Sequence, residues 1–205
     1  MNINQLSGLN YRQLIIKRSF DIIFSILGLA VLVVPLVLLI IIAFFDTGMN
    51  GIYNQQRIGR YGKKFSIFKI RTMKSIAGVN TTITTLNDKR ITAFGRIIRK
   101  LKLDEIPQLI NVFMGTMSFV GPRPDVEGFA DKLTDEDRLI LTIRPGITGP
   151  ASIKYRNEGK LLSNTKNTET LNQYIFRDKV MINLKYIKEW TLANDLKYII
   201  KSIFR

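Results

Sequence analysis

Asp104 and Glu105 are adjacent carboxylates in the stretch RKLKLDEIPQL, which begins at Arg99 and is otherwise rich in cations. From Thr47 to Lys102 the only acid is Asp88, against thirteen Lys and Arg residues. A carboxylate pair at the end of such a region suits two tasks. It can hold Mg²⁺, which takes one or two carboxylates and completes its shell from substrate phosphates. An aspartate can also attack phosphorus and carry the phosphoryl group covalently. The chain of 205 residues has no histidine and no cysteine. That excludes Ser-His-Asp and Cys-His catalysis, thiolate nucleophiles, disulfides and zinc sites built on imidazole or thiolate. Asp, Glu, Lys, Tyr or a hydroxyl must carry any chemistry. The net charge of +15 implies a polyanionic partner: nucleic acid, an anionic membrane face or a phosphate-rich substrate.

The pair needs an element to aim it. Ile106, Leu109, Ile110, Phe113 and Met114 share one helical face, and Gly115 ends the run. Pro107 fits the first turn of that helix, which places Asp104-Glu105 at its N-terminus. Taken alone, this is an ordinary helix start, with Asp as N-cap and Glu suited to the dipole. The surroundings add more, because a helix N-terminus also favours phosphate. The preceding apolar spacing of Phe94, Ile97, Ile98 and Leu101 predicts a helix over Phe94–Leu103, with Arg96 and Lys100 on one face and Arg99 nearby. Further loops display cations: Arg57 to Lys64, rich in glycine and base; the rigid turn Gly121-Pro122-Arg123-Pro124; and the turn from Arg144 to Pro150. Stiff loops of this kind suit anion binding at low entropic cost, although a solvated turn or rigid connector is the ordinary reading. Arg144, Pro145, Gly146 and Thr148 form a candidate nucleotide or substrate loop.

Ile22 to Phe45 is apolar apart from Ser25 and carries no charge. About 20 such residues span a bilayer as a helix. The run is too long for a signal peptide, and no A-x-A site follows it. Hydropathy alone reads it as a single anchor. Its flanks conflict with that, because Arg12, Lys17 and Arg18 before it and the many cations after it both favour the cytoplasmic side. Pro35 lies mid-run, where proline removes a backbone donor and kinks a helix. A helix hinged at Pro35 can enter and leave by one face, which reconciles both flanks; a plain kinked span is the alternative.

Elsewhere, Asp46 to Gly51 reads as a polar hinge and Phe65 to Ile70 as a short strand, while Gly78 to Asp88 reads as a loop. Thr134 is an expected N-cap, its acids Asp135, Glu136 and Asp137 serving capping rather than catalysis. Leu171 to Arg205 is helical in pattern, a mixture of core packing, the larger part, and membrane-surface faces. These features give an α+β chain, mostly helical: a re-entrant membrane helix over residues 1–46, and over residues 47–205 a small catalytic domain with short strands and interfacial amphipathic helices.

Several blocks together resemble a known family. They are KRSFDI from Lys17, the membrane segment with Pro35, QQRIGRYGKKFSIFKIRTM from Gln55, GRIIRKLKLDEIPQLINV from Gly95, MSFVGPRP from Met117 and RPGITGPA from Arg144. In this order and spacing the chain resembles the bacterial monotopic phosphoglycosyl transferases. The resemblance implies transfer of a sugar-1-phosphate from a UDP-sugar to undecaprenyl phosphate, with release of UMP, dependence on Mg²⁺ and a phosphosugar-aspartate intermediate. By the same resemblance Asp104 is the nucleophile, Glu105 its partner in orienting nucleophile or metal, and Lys69, Arg99 and Arg123 lie around the phosphates. Pro35 is the membrane hinge. The chain departs from the family pattern at Val34, at Thr116, and from Ser152 to Glu158.

The expected partners are a UDP-sugar, undecaprenyl phosphate and anionic phospholipid, with no nucleic acid; homo-oligomerisation is left open. The expected location is the cytoplasmic face of the bacterial inner membrane, with both termini cytoplasmic. Two other classes compete. One is a membrane-linked glycosyltransferase that moves only the sugar and releases UDP. The other is a non-enzymatic basic protein that binds anionic lipid or nucleic acid and shows salt-dependent binding without turnover.

Overall fold

The computed structural model describes residues 8–75, 88–163 and 167–204. The loop expected over Gly78–Asp88 lies outside them except for Asp88, which pairs with Arg90 at 2.7 Å.

Helix α1 runs from Tyr11 to Thr47, 37 residues, and is continuous through Pro35. Asn10 caps it through a reciprocal box with Gln13, and Gly48 closes it in the left-handed region at φ 70°. Its most apolar window has a mean hydropathy of 3.3 and is only 11% buried, so its length and composition suffice to cross a membrane. At 1.5 Å per residue the helix is about 55 Å long, well beyond a hydrocarbon core of about 30 Å.

The chain then turns back as a hairpin, β1 (Ile52–Ile58) and β2 (Lys64–Ile70), paired antiparallel from Ile52↔Ile70 to Ile58↔Lys64. The expected strand at Phe65–Ile70 is therefore present. The basic glycine segment before it is the hairpin turn, with Tyr61 at φ 60° and Gly62 at φ 75°. Helix α2 (Ala93–Lys100) is capped by the Thr92 hydroxyl, and α3 (Gln108–Met114) ends at Gly115 in the left-handed region. Thr116 caps the same end, donating its hydroxyl to the Asn111 carbonyl. Strand β3 (Ser118–Val120) pairs in parallel with β4 (Gly146–Thr148). Between them lies a 3₁₀ segment, Asp135–Thr142, which Thr134 precedes without a side-chain capping bond. Helices α4 (Pro150–Lys154), α5 (Glu158–Ser163), α6 (Thr168–Lys188) and α7 (Leu192–Ile203) complete the chain. The fold is thus mostly helical with two small sheets.

Three apolar clusters organise it. Val120, Ile140, Leu141, Ile143, Val180, Tyr186, Ile187 and Trp190 pack the C-terminal helices on β3 and the 3₁₀ segment. Ile67, Val112 and Met117 join the hairpin to α3. Leu36 and Ala43 of α1 pack with Ile70 and Ile98, seating α1 on the hairpin and α2. Burying a side chain such as Ile98 stabilises by about 1.5–3 kcal/mol. The expected core packing of the C-terminal region is present, with Ile175, Val180, Tyr186, Ile187 and Trp190 buried, whereas Leu196, Ile200 and Ile203 of α7 and Phe204 after it are exposed.

Candidate active site

Asp104 and Glu105 lie in a 3₁₀ turn, Leu103–Glu105, that precedes α3 as a separate element. This differs from the expectation that they begin the helix itself. Pro107 occupies the N-cap position of α3, so the pair stands one turn ahead of it. The turn is entered through Lys102 in the left-handed region at φ 61°, which breaks the path from α2. The turn that carries them packs against both β2 and α2.

The two acids have opposite surroundings. Glu105 accepts a hydrogen bond from Arg123 Nη2 at 3.1 Å, and Lys69 Nζ lies 3.7 Å from the same oxygen. Burial disfavours its charge, yet the Arg123 and Lys69 cations outweigh that and hold it down to about 2. Asp104 is 9% exposed, and its Oδ1 is buried with no hydrogen-bond partner. Burial and the neighbouring Glu105 charge push its carboxyl above the ordinary aspartate value, against Lys69, Arg99 and Lys102. Arg99 carries a matching feature, a buried Nη1 without a partner. Burial likewise lowers the Lys69 ammonium, with Arg123 acting in the same direction and Glu105 against it.

Of the cations expected here, Lys69, Arg99 and Arg123 all converge on the acid pair, while Arg96 and Lys100 are exposed on α2. The Arg144 loop divides. Arg144 donates from Nε to the Gly115 carbonyl at 2.7 Å, and Gly146 lies in β4 so close to Gly121 that a Cβ would sit 2.1 Å from its nitrogen. These residues brace the turn that carries Arg123. Of the four candidate residues only Thr148 reaches the cleft described next, beside Ile147, and its hydroxyl is paired with Ser202 at 2.5 Å.

A cleft of about 570 Å³ opens beside Glu105, while Asp104, Lys69 and Arg99 lie outside its lining. Lys102, Glu105 and Arg123 line one end; Leu32 of α1 and Ile199 and Ile203 of α7 bring apolar side chains to it. Its wall includes Asp125, Lys179 and Asn183, which motif reading did not single out, and Ser152, which opens the stretch where the sequence departs from the family pattern. Asp125 was within reach of that reading, two residues beyond Arg123. Asn183 sits in a helix with no local signal to mark it. Burial pushes the Asp125 carboxyl up to about 6, against Lys179, Arg57 and Arg123.

Among the described residues no cluster of three or more His, Cys, Asp or Glu could hold a metal ion. Asp104 and Glu105 nonetheless fit Mg²⁺. The unpartnered Asp104 oxygen is a hard donor, and two carboxylates are what this ion takes when phosphates complete its shell.

Residues 12–205 match the family described as bacterial sugar transferase. The chain belongs to that family. Among its relatives, undecaprenyl-phosphate galactose phosphotransferase of Salmonella typhimurium is 34% identical over 91% of this chain and 39% of its own length. Exopolysaccharide production protein ExoY of Sinorhizobium fredii is 34% identical over 91% of this chain and 83% of its own. The UDP-glucose:undecaprenyl-phosphate glucose-1-phosphate transferase of Escherichia coli is 34% identical over 98% of this chain and 41% of its own. This sugar transferase chain therefore spans about two fifths of the Salmonella and Escherichia proteins and most of ExoY.

Proposed function

We propose that this sugar transferase moves a sugar-1-phosphate from a UDP-sugar to undecaprenyl phosphate and releases UMP. The observation that carries the reading is the unequal acid pair. Glu105 is neutralised by two cations, whereas Asp104 is buried with a free oxygen and a raised affinity for protons. A desolvated, unpaired carboxylate is a stronger nucleophile than one engaged in an ion pair.

One carboxylate oxygen of Asp104 attacks the phosphorus that bears the sugar, which leaves the other to hold a metal. The bond from that phosphorus to the bridging oxygen breaks, and UMP leaves with the electron pair. The sugar phosphate is then an acyl phosphate on Asp104. A phosphate oxygen of the lipid attacks the same phosphorus, the bond to Asp104 breaks, and a polyprenyl diphosphate sugar departs. Arg123, Lys69 and Arg99 stabilise the charge that spreads over the transferring oxygens. Glu105 keeps Arg123 and Lys69 in place for that task. Mg²⁺ held by Asp104 and Glu105 would neutralise the diphosphate and help expel UMP.

The same proposal places the domain on the cytoplasmic face of the bacterial membrane, with α1 re-entrant at Pro35. Support comes from where α1 touches the domain. Lys17 meets Tyr186 and Asp195, Arg18 meets the end of α3, Asp21 meets β3, and Leu36 and Ala43 meet Ile70 and Ile98. From Lys17 to Ala43 the helix covers about 39 Å beside one domain. A spanning anchor would leave its domain at one end.

The test is the nucleotide product. With undecaprenyl phosphate, Mg²⁺ and a panel of UDP-sugars, UMP is expected. Release of UDP would instead support a transferase that moves the sugar alone, and binding without turnover would support a lipid-binding protein.

A further inference from the structure

The cleft has two chemically unlike parts. Around the acid pair the available groups are donors: Arg123 and Lys102 line that end, and Lys69 stands behind Glu105. Phosphate oxygens, which only accept, belong there. The wall built by α4 and α6 is different. Asn183 is 5% exposed, lines the cleft, and buries its amide Oδ1 with no partner. Across from α6, Ser152 also lines the cleft, and its Oγ is buried and unpartnered too. Asp125 adds a carboxylate to the same wall. Its cations are already engaged: Lys179 is held by both oxygens of Glu158 at 2.6 and 2.7 Å, and Arg156, which also lines the cleft, donates to the Lys201 carbonyl at 3.0 Å.

Leaving a buried polar atom unpaired costs about 1–3 kcal/mol, so two in one wall require an account. A phosphate cannot supply it, because Asn183 Oδ1 and the Asp125 carboxylate need donors. An apolar lipid chain cannot either. Groups that both donate and accept, placed several to a ring, fit all of these atoms: the hydroxyls of a hexose. The UDP half offers fewer donors, two ribose hydroxyls and one ring N–H.

We propose that Asn183, Ser152 and Asp125 form the subsite that reads the hydroxyls of the donor's sugar, and so set which UDP-sugar is used. This rests on reading the cleft as the UDP-sugar site. It also orients the donor, with its phosphates at Arg123 and Lys69 and its sugar toward α6. Arg123 and Asp125 are two residues apart in one turn, so the turn reaches both parts.

The experiment uses the full chain in lipid nanodiscs with undecaprenyl phosphate and Mg²⁺. UMP release is followed for UDP-hexoses and UDP-N-acetylhexosamines that differ in one hydroxyl, in the unmutated protein, Asn183→Leu and Ser152→Ala. Inhibition by UMP is measured for each, which also reports a folded site. The expected result is a three- to tenfold fall in kcat/KM for the preferred sugar. Discrimination between epimers should narrow, with UMP inhibition within twofold of the unmutated value. Ser152→Ala decides the matter if Asn183→Leu no longer binds UMP. Unchanged epimer ratios in a UMP-binding variant would overturn the subsite while leaving the transferase reading intact. UMP inhibition weakened as much as sugar-nucleotide turnover would overturn it in favour of a nucleotide contact. An unmutated protein that releases UMP from none of the donors would overturn the transferase reading itself, and the subsite with it.

Discussion

Two clusters of buried charge lie within this chain, and they are built in opposite ways. Where α1 meets α6 and α7, Lys17 Nζ contacts Asp195 at 2.5 Å and Tyr186 at 3.2 Å. Asp195 also accepts from the Tyr186 hydroxyl at 2.6 Å and Trp190 Nε1 at 3.1 Å. One helical turn on, Asp21 accepts from Ser118 Oγ and the Phe119 amide, with only its second oxygen unpaired. The charges of this junction are met almost atom for atom. At the acid pair, Glu105 is met in that way, but Asp104 and Arg99 each bury an atom that is not. Full pairing spends a charge on holding helices together. A charge left unpaired near a cleft is held ready for something that arrives later. The junction thus has the build of a structural clamp on α1, and the acid pair that of the proposed reactive centre.

The largest effect should come from removing the reactive charge. Asp104→Asn is expected to lower UMP release by about a thousandfold or more, while the protein still folds. Thermal stability should move the other way. Asp104 holds its proton more tightly in the folded state than in the unfolded chain, so its ionised form costs stability at neutral pH. The asparagine variant should therefore melt higher at pH 7, by about 2–4 °C for each kcal/mol relieved. That gain should vanish as pH falls below the unfolded aspartate value, where both states are protonated. A lower melting temperature in the variant at pH 7 would make Asp104 a structural residue like Asp195.

The clamp should answer in the reverse sense. Lys17→Met strands a buried carboxylate and should cost about 3–5 kcal/mol of stability, read by chemical or thermal unfolding. The molecules that stay folded should keep their turnover number. Adding Asp195→Asn should recover part of the loss, because the remaining partner is then neutral.

Arg123→Ala sits between these cases. Its guanidinium is half-exposed and bonded to Glu105, so the fold should tolerate its loss. Turnover should fall about tenfold to a hundredfold, and Glu105, freed from its main cation, should titrate higher than about 2. The pH profile sharpens the comparison further. Turnover should drop on the acid side around a value above the ordinary aspartate figure of 3.8, because Asp104 must be ionised to attack. An acid limb near 2 would mean that Glu105 alone governs the rate. Smallest of all is Lys64→Ala, which removes an exposed pair with Glu127 at 2.7 Å and should leave stability and turnover unchanged.

Much of the proposed reactive centre is legible in the sequence because its parts are local. The acid pair, the cations before it, the turn at Arg123 and the apolar run with Pro35 are each written in a few adjacent residues. Strand β2 shows its alternation. Its partner β1 does not, because Asn54, Gln55, Gln56 and Arg57 give it no apolar period, and it is held by pairing to β2. The clamp is illegible for a different reason. Lys17 and Asp195 are 178 positions apart, and no short-range pattern records that they meet. Lys17 reads instead as a topology signal beside the apolar run. Asn183 is hidden in the same way, one polar residue within a helix, whose meaning depends on Ser152 arriving across the cleft. At Arg144 a stiff loop with a cation suggests anion binding, and the fold adds a contact that no local pattern shows, its Nε donating to the Gly115 carbonyl.

The central claim is that Asp104 itself takes up the sugar phosphate. It is tested most directly by incubating the purified protein with Mg²⁺ and its preferred UDP-sugar in the absence of any lipid acceptor. Nucleotide release and intact mass would then be followed together. A burst of about one UMP per protein is expected, with a mass increase equal to one sugar phosphate located on the peptide that carries Asp104. Neither should occur in Asp104→Asn. UMP formed only after undecaprenyl phosphate is added, with no adduct at any stage, would mean that the lipid attacks the donor directly and would contradict the account.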